Sequence, residues 1–256
     1  MEAQRLPYAC TTIQHNLTLD YLQNAEHLQA FYQYTPDEAG SQQALKERPQ
    51  FPVDRELLTN TLLKQYRELG IDPDAEDENA PVLANIRALS APNTFTVTTG
   101  HQLNILGGPL FYFYKIASTI HLAQRLSRLN PDQHVVPVYW MATEDHDFEE
   151  IKDVHLLGDT YTWEKDATGP VGEMDPAGLP ELVARIQQDI REQEAFQPLA
   201  ELWREAFTRF SSYGRACQYW VHQLFRQYGL VILDPNDEAL KQHMVSIFEA
   251  DLQEQV

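Results

Sequence analysis

Two short polar clusters in the middle of the chain carry the residue types that could do chemistry. The first spans residues 100–109 and contains Gly100, His101, Gln102, Gly107, Gly108 and Pro109. The second spans residues 144–147 and consists of Glu144, Asp145, His146 and Asp147. Backbone N–H groups in a glycine turn bind anions, whereas carboxylates and imidazoles bind cations or transfer protons. Together the clusters indicate an anion site and an acidic pocket.

The glycine-rich cluster predicts anion binding at the start of a helix. Gly107 and Gly108 lack side chains, so their N–H groups can approach a ligand closely, and Pro109 suits the first helical position. His101 and Lys115 could add charge, since Lys115 starts about 9 Å along the helix and can lean back. The alternative is a tight strand-to-helix turn with a solvated lysine. Neither a Walker loop nor G-x-G-x-x-G occurs here.

The acidic cluster is compatible with three chemical roles. It could hold a divalent cation, grip a substrate ammonium group or supply a general base. The spacing is not H-E-x-x-H, so a zinc peptidase is not expected and no metal ligands are assigned. The alternative is a helix start, with Thr143 as the cap and the acids in the first turn. That alternative explains the acids better than it explains His146.

Two strands and a helix must position both clusters. Residues 95–99 are β-branched or aromatic and predict a buried strand, and residues 135–142 predict a central parallel strand, in which Pro137 removes a ladder donor. The helix between them has an apolar face formed by Leu110, Phe113, Ile116, Ala117, Ile120 and Ala123. Strand, helix and strand form half of a nucleotide-binding α/β unit, which places both clusters at the carboxyl ends of parallel strands.

The rest of the chain indicates an accessory region and a core. Residues 1–94 predict a helical N-terminal accessory region, and residues 95–256 predict an incomplete Rossmann-like parallel sheet flanked by helices, with a connecting insertion near residues 158–178. The segment GLVILDPND at residues 229–237 predicts a further buried strand. Its Asp234 is either a turn residue, which we prefer, or part of the site.

Composition restricts the function classes. The 256 residues carry a formal charge of −19, so the surface should repel nucleic acid and anionic membranes. Cys10 and Cys217 form neither a disulfide framework nor a metal-binding spacing, which favours a reducing compartment. The N-terminus lacks an apolar signal core, and no apolar run approaches the ~18 residues of a membrane span. We therefore expect a cytoplasmic protein with small-molecule substrates.

The sequence around the two clusters, including their flanking residues, resembles that of a known protein family. TTGHQLNILGGPLFYFYK at residues 98–115 and PVYWMATEDHDFEEI at residues 137–151 are similar to the cysteine ligase, or cysteine-adding enzyme, of bacillithiol biosynthesis. The resemblance covers essentially all of the chain, which corresponds to the N-terminal half of the family. It implies a Rossmann-like core with connecting insertions, a long C-terminal coiled coil and a homodimer in the full-length form.

The resemblance also implies a reaction and site residues. The reaction joins L-cysteine to the amine of glucosaminyl malate and yields a low-molecular-weight thiol, with ATP and optionally Mg²⁺ as cofactors. The fold is similar to class I aminoacyl-tRNA synthetases, whose histidine signature matches His101 and Gln102 but lacks its second histidine here. The implied catalytic residues are His101, Asp145 and His146. The resemblance implies nucleotide binding at His101, Gln102, Gly107 and Gly108, and the anion-binding interpretation of the turn adds Gly100 and Lys115 to these predicted cofactor-binding residues. The implied substrate-binding residues are Glu144, Asp145 and Asp147.

Two other function classes stay open at this point. A nucleotidyltransferase of another pathway could use the same glycine turn for phosphate. A nucleotide- or sugar-binding module without catalysis, or an inactive fragment that needs a partner half, would share the same fold.

Overall fold

The computed structural model describes residues 6–11 and 16–254. The chain divides into two compact units, Met1–Val53 and Asp54–Val256. The first unit contains helices α1 (Asn16–Leu22) and α2 (Glu38–Glu47). Asp37 caps α2 by accepting from the Gly40 amide at 2.8 Å. Tyr32 donates to Asn24 at 2.5 Å, and Phe31 is 83% exposed.

The second unit is built on a parallel sheet. Its strands are β1 (Thr94–His101), β2 (His134–Met141) and β5 (Val231–Leu233), in the order β1-β2-β5. A separate antiparallel hairpin pairs β3 (Asp153–Leu156) with β4 (Asp159–Thr162), of which β4 falls in the predicted insertion near residues 158–178 and β3 precedes it. The predicted α/β class, with a parallel Rossmann-like sheet flanked by helices, is confirmed.

The helices of the second unit are α3 (Arg55–Glu68), α4 (Ala80–Ala88), α5 (Phe111–Leu129), α6 (Phe148–Ile151), α7 (Leu179–Asp189), α8 (Gln197–Arg209), α9 (Tyr213–Phe225), α10 (Glu238–His243) and α11 (Val245–Glu254). The Tyr66 hydroxyl of α3 accepts from the Ile232 amide of β5 at 3.0 Å. Helices α3 and α4, which the sequence placed in the accessory region, thus belong to the same compact unit as the sheet. Within the described ranges, every helix is too short or too polar to span a membrane.

The three strands differ in their environment. β2 lies in the middle of the sheet and buries most of its side chains, as predicted for a central strand. Pro137 precedes Val138, the first residue of β2 that pairs with β5, so β2 has only one neighbouring strand at the proline. β1 forms an edge, and Thr96, Thr98 and Gly100 are exposed. The prediction of a buried first strand is therefore wrong for one face of β1.

Helix α5 covers the sheet with a face slightly rotated from the predicted one. Ile116, Ile120 and Ala123 are buried as expected. Leu110 is 65% exposed and Ala117 is also exposed, so the prediction is wrong for both. Their places on the buried face are taken by Tyr112, Thr119 and Leu126. Thr119 is compatible with burial because its hydroxyl donates to the Lys115 carbonyl at 2.9 Å.

Candidate functional site

The carboxyl ends of the three parallel strands meet at one edge of the sheet. The Ala142 amide after β2 donates to the carbonyl of His101, the last residue of β1, at 3.3 Å. The Thr143 hydroxyl donates to Asp234, which follows β5. Asp234 also accepts from the Asn236 amide at 3.0 Å, so it both forms the turn and contacts the strand end after β2. Ligands of open α/β sheets bind at this edge.

One side chain connects the two sequence clusters directly. Gln102 Nε2 donates to Asp145 Oδ2 at 2.8 Å and to Glu150 Oε2 at 2.6 Å. Gln102 and Asp145 are partly buried, and Glu150 is exposed. The residues after β1 and β2 that were singled out separately thus lie in hydrogen-bond contact. Their location at the strand ends follows the topology that the sequence predicted.

The acidic run contains both the start of a helix and an ionised carboxyl group, that of Asp145. Asp147 caps α6 by accepting from the Glu150 amide at 3.3 Å, so the cap is Asp147 and not Thr143. Asp145 accepts from the Asp147 amide at 3.0 Å. This bond, followed by that from Gln102, lowers the pKa of the Asp145 carboxyl below its ordinary value. Asp145 is therefore a carboxylate at neutral pH.

The other two members of the run differ in exposure. His146 is exposed, so solvent reaches its imidazole. Glu144 is partly buried, and its Oε2 atom is buried without a hydrogen-bond partner in the described part of the chain. A buried carboxylate oxygen without a donor is costly.

His101 has a defined tautomer when it is neutral. Its Nδ1 lies 3.0 Å from the Gln102 carbonyl oxygen, which can only accept. The proton of a neutral ring therefore resides on Nδ1, and Nε2 is the acceptor. The ring contacts Tyr112 edge-on, with ring centroids 5.3 Å apart. This packing holds the imidazole at the end of β1.

The glycine turn does not present free amides. The Gly107 amide donates to the Asn104 carbonyl at 3.1 Å, and the Gly108 amide donates to the Ile105 carbonyl at 2.9 Å. Both glycines have positive φ, +85° and +51°. A Cβ atom on Gly108 would lie 2.5 Å from the Cβ of Asn104. The expectation that these amides approach a ligand is wrong, because a sharp, closely packed turn explains both glycines.

Donors for an anion lie slightly further along the chain. Helix α5 begins at Phe111, and the amides of Leu110 and Phe111 have no acceptor among the described residues. Both residues are exposed. Lys115 reaches back as predicted, and its Nζ donates to the Gly100 carbonyl at 2.5 Å. The positive helix end and Lys115 thus lie near the end of β1, as anion binding requires.

Sequence reasoning missed Glu150 and Asn104. Asn104 donates to the Glu150 carbonyl at 3.2 Å, which ties the glycine turn to the acidic run. The signal for Glu150 was its position three residues after the cap Asp147, which is capping-box spacing. Its carboxylate instead turns towards Gln102.

Two further observations define the limits of the site. In residues 6–11 and 16–254, no group of three or more His, Cys, Asp or Glu side chains is arranged to hold a metal ion. A separate surface groove of about 450 Å³ is lined by Leu157 and residues 188–193. None of the predicted site residues contributes to it.

Comparison with known proteins places the chain in a family. The family model described as "Bacillithiol biosynthesis BshC, N-terminal Rossmann-like domain" matches residues 1–256. The chain belongs to the BshC family. A Cytophaga hutchinsonii relative is 35% identical over 93% of this chain, and a Flavobacterium johnsoniae relative is 36% identical over 93%. Both are named "Putative cysteine ligase BshC".

The match covers most of this chain but only part of the length of each BshC relative. It covers 42% of the Cytophaga hutchinsonii protein and 44% of the Flavobacterium johnsoniae protein. A Salinibacter ruber BshC relative is 29% identical over 98% of this chain and 46% of its own length. The chain therefore spans less than half the length of these BshC proteins. Its family and its Rossmann-like fold are established, and its relatives are named as ligases.

Proposed function

We propose that this chain forms the activation site of a ligase that joins L-cysteine to the amine of glucosaminyl malate in bacillithiol biosynthesis. The names of the relatives support the ligase class and the cysteine substrate. The observation that carries the proposal is the 2.8 Å hydrogen bond between Gln102 and Asp145, which brings the two clusters together. The homodimer implied by the resemblance stays a prediction.

The chemistry of amide formation sets two requirements. A carboxylate does not react with an amine until one of its oxygens becomes part of a leaving group. When ATP is bound, it would supply the group that converts this oxygen into a leaving group. The attacking amine is an ammonium ion in water and must lose a proton before its nitrogen lone pair can attack the acyl carbon. The site must therefore bind an anion and an ammonium group close together and provide a proton acceptor.

The acidic side of the site suits the ammonium group. Asp145 is ionised, and Asp147 and Glu144 add negative charge beside it. An ammonium ion held there gains charge-assisted hydrogen bonds. His146 is exposed, and Nε2 of neutral His101 is an acceptor, so either imidazole can take the proton that the amine loses. In this proposal Asp145 positions the amine, and a histidine is the base.

The anion side is formed by β1 and α5. Lys115 and the free amides at the start of α5 are donors that fit phosphate oxygens. Mg²⁺ is usually held by substrate phosphates with one or two carboxylates, so it enters the proposal together with the nucleotide. Gly107 and Gly108 shape this side through their turn, while their own amides are occupied.

A chimera tests the proposed function. This chain would replace the matching region of the Flavobacterium johnsoniae relative, and the chimera would be incubated with ATP, L-cysteine and glucosaminyl malate. We expect a cysteine-dependent amide product by mass spectrometry. A chimera that is folded by circular dichroism but forms no such product, while the relative does, would overturn the proposal. Pyrophosphate exchange that depends on a different acid would favour a nucleotidyltransferase, and binding without turnover would favour a binding module.

Lys115 provides a prediction about nucleotide binding. Lys115→Met should weaken ATP binding by about tenfold, because one charge-assisted hydrogen bond is worth roughly 1.5 kcal/mol. The stability should change little, since the Lys115 ammonium group contacts the carbonyl of exposed Gly100 and the ring of exposed Phe111. Titration calorimetry with ATP measures the effect. Lys152→Met is the matched control, because Lys152 pairs with Glu149 on α6. Equal losses of ATP affinity in the two variants would contradict the assigned role of Lys115, because they would show that only the net charge of the protein affects ATP binding.

A further inference from the structure

We propose that Gln102 is a specificity-determining residue that accepts a hydrogen bond from a substrate ammonium group, with the polarity of its amide fixed by Asp145 and Glu150. The inference rests on the proposed function and deepens it. It moves Gln102 from the nucleotide side of the site, where the family resemblance placed it, to the amine side. It also gives a role to Glu150, which the sequence clusters did not include.

The orientation of the Gln102 amide follows from its two partners. Nε2 carries two hydrogens, and two carboxylate oxygens lie 2.8 Å and 2.6 Å from it, on Asp145 and Glu150 respectively. Each hydrogen thus has its own acceptor. Rotating the amide by half a turn would place Oε1 against the same two carboxylate oxygens and remove the donor that Gln102 supplies to each of them. With one carboxylate partner alone, the second Nε2 hydrogen would have no acceptor. Both carboxylates are therefore needed to use both hydrogens and to fix the orientation of the amide.

This orientation determines what Gln102 offers a ligand. Both N–H groups are occupied, so the side chain has no donor left for a phosphate. Its Oε1 accepts no hydrogen bond from the described residues and is the remaining functional atom. An ammonium group has three N–H donors and no acceptor, which is complementary to a carbonyl oxygen beside a carboxylate.

The local charge favours the same ligand class. Neither Asp145 nor Glu150 forms an ion pair with a lysine or arginine in the described part of the chain. The nearby Lys152 is instead paired with Glu149 at 2.6 Å. Asp145 retains its negative charge because hydrogen bonds lower its pKa. The two carboxylates share one neutral amide, and their charge is left for a cation.

Two substrates of the proposed reaction contain a primary ammonium group, and the experiment separates them. The first arm compares L-cysteine with 3-mercaptopropionate, which lacks the amine. The second arm compares glucosaminyl malate with the glucosyl analogue, in which a hydroxyl replaces the amine. Calorimetric Kd values give an amine preference for each pair. We expect the wild-type chain to prefer the amine in one arm, and that arm identifies the ammonium group bound at Gln102.

Glu150→Gln is the decisive variant. The substitution preserves side-chain size at an exposed position. It replaces a carboxylate, which can only accept, by an amide whose N–H group can also point at Gln102. We expect about a tenfold loss of amine affinity, and unchanged affinity for the analogue without the amine. Glu149→Gln is the matched control, since Glu149 is an exposed neighbour that does not contact Gln102. It should preserve the preference.

A structural readout accompanies the binding data. The side-chain amide hydrogens of Gln102 should exchange slowly with solvent in the wild-type chain by NMR and faster in Glu150→Gln. An unchanged amine preference in Glu150→Gln, an equal loss in Glu149→Gln, or a wild-type chain without amine preference in both arms would overturn the inference. The chimera's cysteine-dependent product tests the proposed function separately, so the two can fail independently.

Discussion

Replacing Trp163 with alanine should lower the free energy of unfolding of the sheet-containing unit by about 3–5 kcal/mol. Trp163 is only 1% exposed. Its ring contacts Phe148, which follows the acidic run, with centroids 5.2 Å apart, and Tyr213, with centroids 5.0 Å apart. The Tyr213 hydroxyl donates to the Leu103 carbonyl at 2.8 Å, next to Gln102. Trp163 therefore supports the residues after both β1 and β2.

The measurement is urea unfolding followed by circular dichroism. Trp140→Ala is the matched control, because Trp140 lies on β2 of the same sheet but is 42% exposed. It should cost much less than Trp163→Ala, since less apolar surface returns to water. Trp163→Ala should also weaken both ATP and amine binding, because the supported segments carry the site. Comparable losses of stability in the two variants would contradict the assigned role of Trp163.

Acidification from pH 7 to pH 4 should destabilise the protein by about 3 kcal/mol through His222 alone. His222 is fully buried, and its Nε2 lies 2.7 Å from Asn79 Oδ1. The Asn79 amide nitrogen donates to Asp77 at 3.0 Å, which leaves Oδ1 as the acceptor and fixes the proton on Nε2. Nδ1 has no partner in the described residues, so a second proton there would be buried without an acceptor.

The direction of the pH effect follows from the two states. Burial, followed by the Arg226 guanidinium, lowers the pKa of His222 from 6.5 to about 4 in the folded protein. Between those values the unfolded chain holds one more proton, so the contribution of His222 is complete above pH 6.5 and is lost as the pH falls towards 4. The loss levels off about one pH unit below the folded-state pKa, where His222 is protonated in both states.

The His222→Gln variant isolates this contribution. Glutamine retains a donor for Asn79 but does not titrate, while the carboxylates titrate equally in both proteins. The unfolding free energy of the wild type minus that of the variant is measured in urea at pH 7, 5.5 and 4. It should fall by about 3 kcal/mol between pH 7 and pH 4. A difference that stays constant within about 0.5 kcal/mol would contradict a neutral buried His222.

The sequence predicted the α/β class and the meeting of the two clusters because both depend on simple regularities. Apolar runs separated by an amphipathic helix form parallel strands, and the carboxyl ends of such strands share one edge. The contact between Gln102 and Asp145 follows from that rule. The edge position of β1 could not be predicted, since it depends on which strands pair, and pairing leaves no pattern within one strand.

The role of the glycines was predicted wrongly for a physical reason. A glycine that allows a ligand to approach and a glycine that adopts positive φ in a packed turn look the same in a sequence. Gly107 and Gly108 are of the second kind, because both have positive φ and pack closely, Gly107 against Phe113 and Gly108 against Asn104. Glu150 was missed because its spacing from Asp147 is typical of helix capping, whereas its actual partner Gln102 is remote in sequence.

The most direct test of the site is a crystal structure of this chain with L-cysteine, and a second with glucosaminyl malate. We expect, in one of them, a substrate nitrogen within about 3.2 Å of both Gln102 Oε1 and an Asp145 carboxylate oxygen. Substrate bound only elsewhere, such as the groove at Leu157 and residues 188–193, would contradict it.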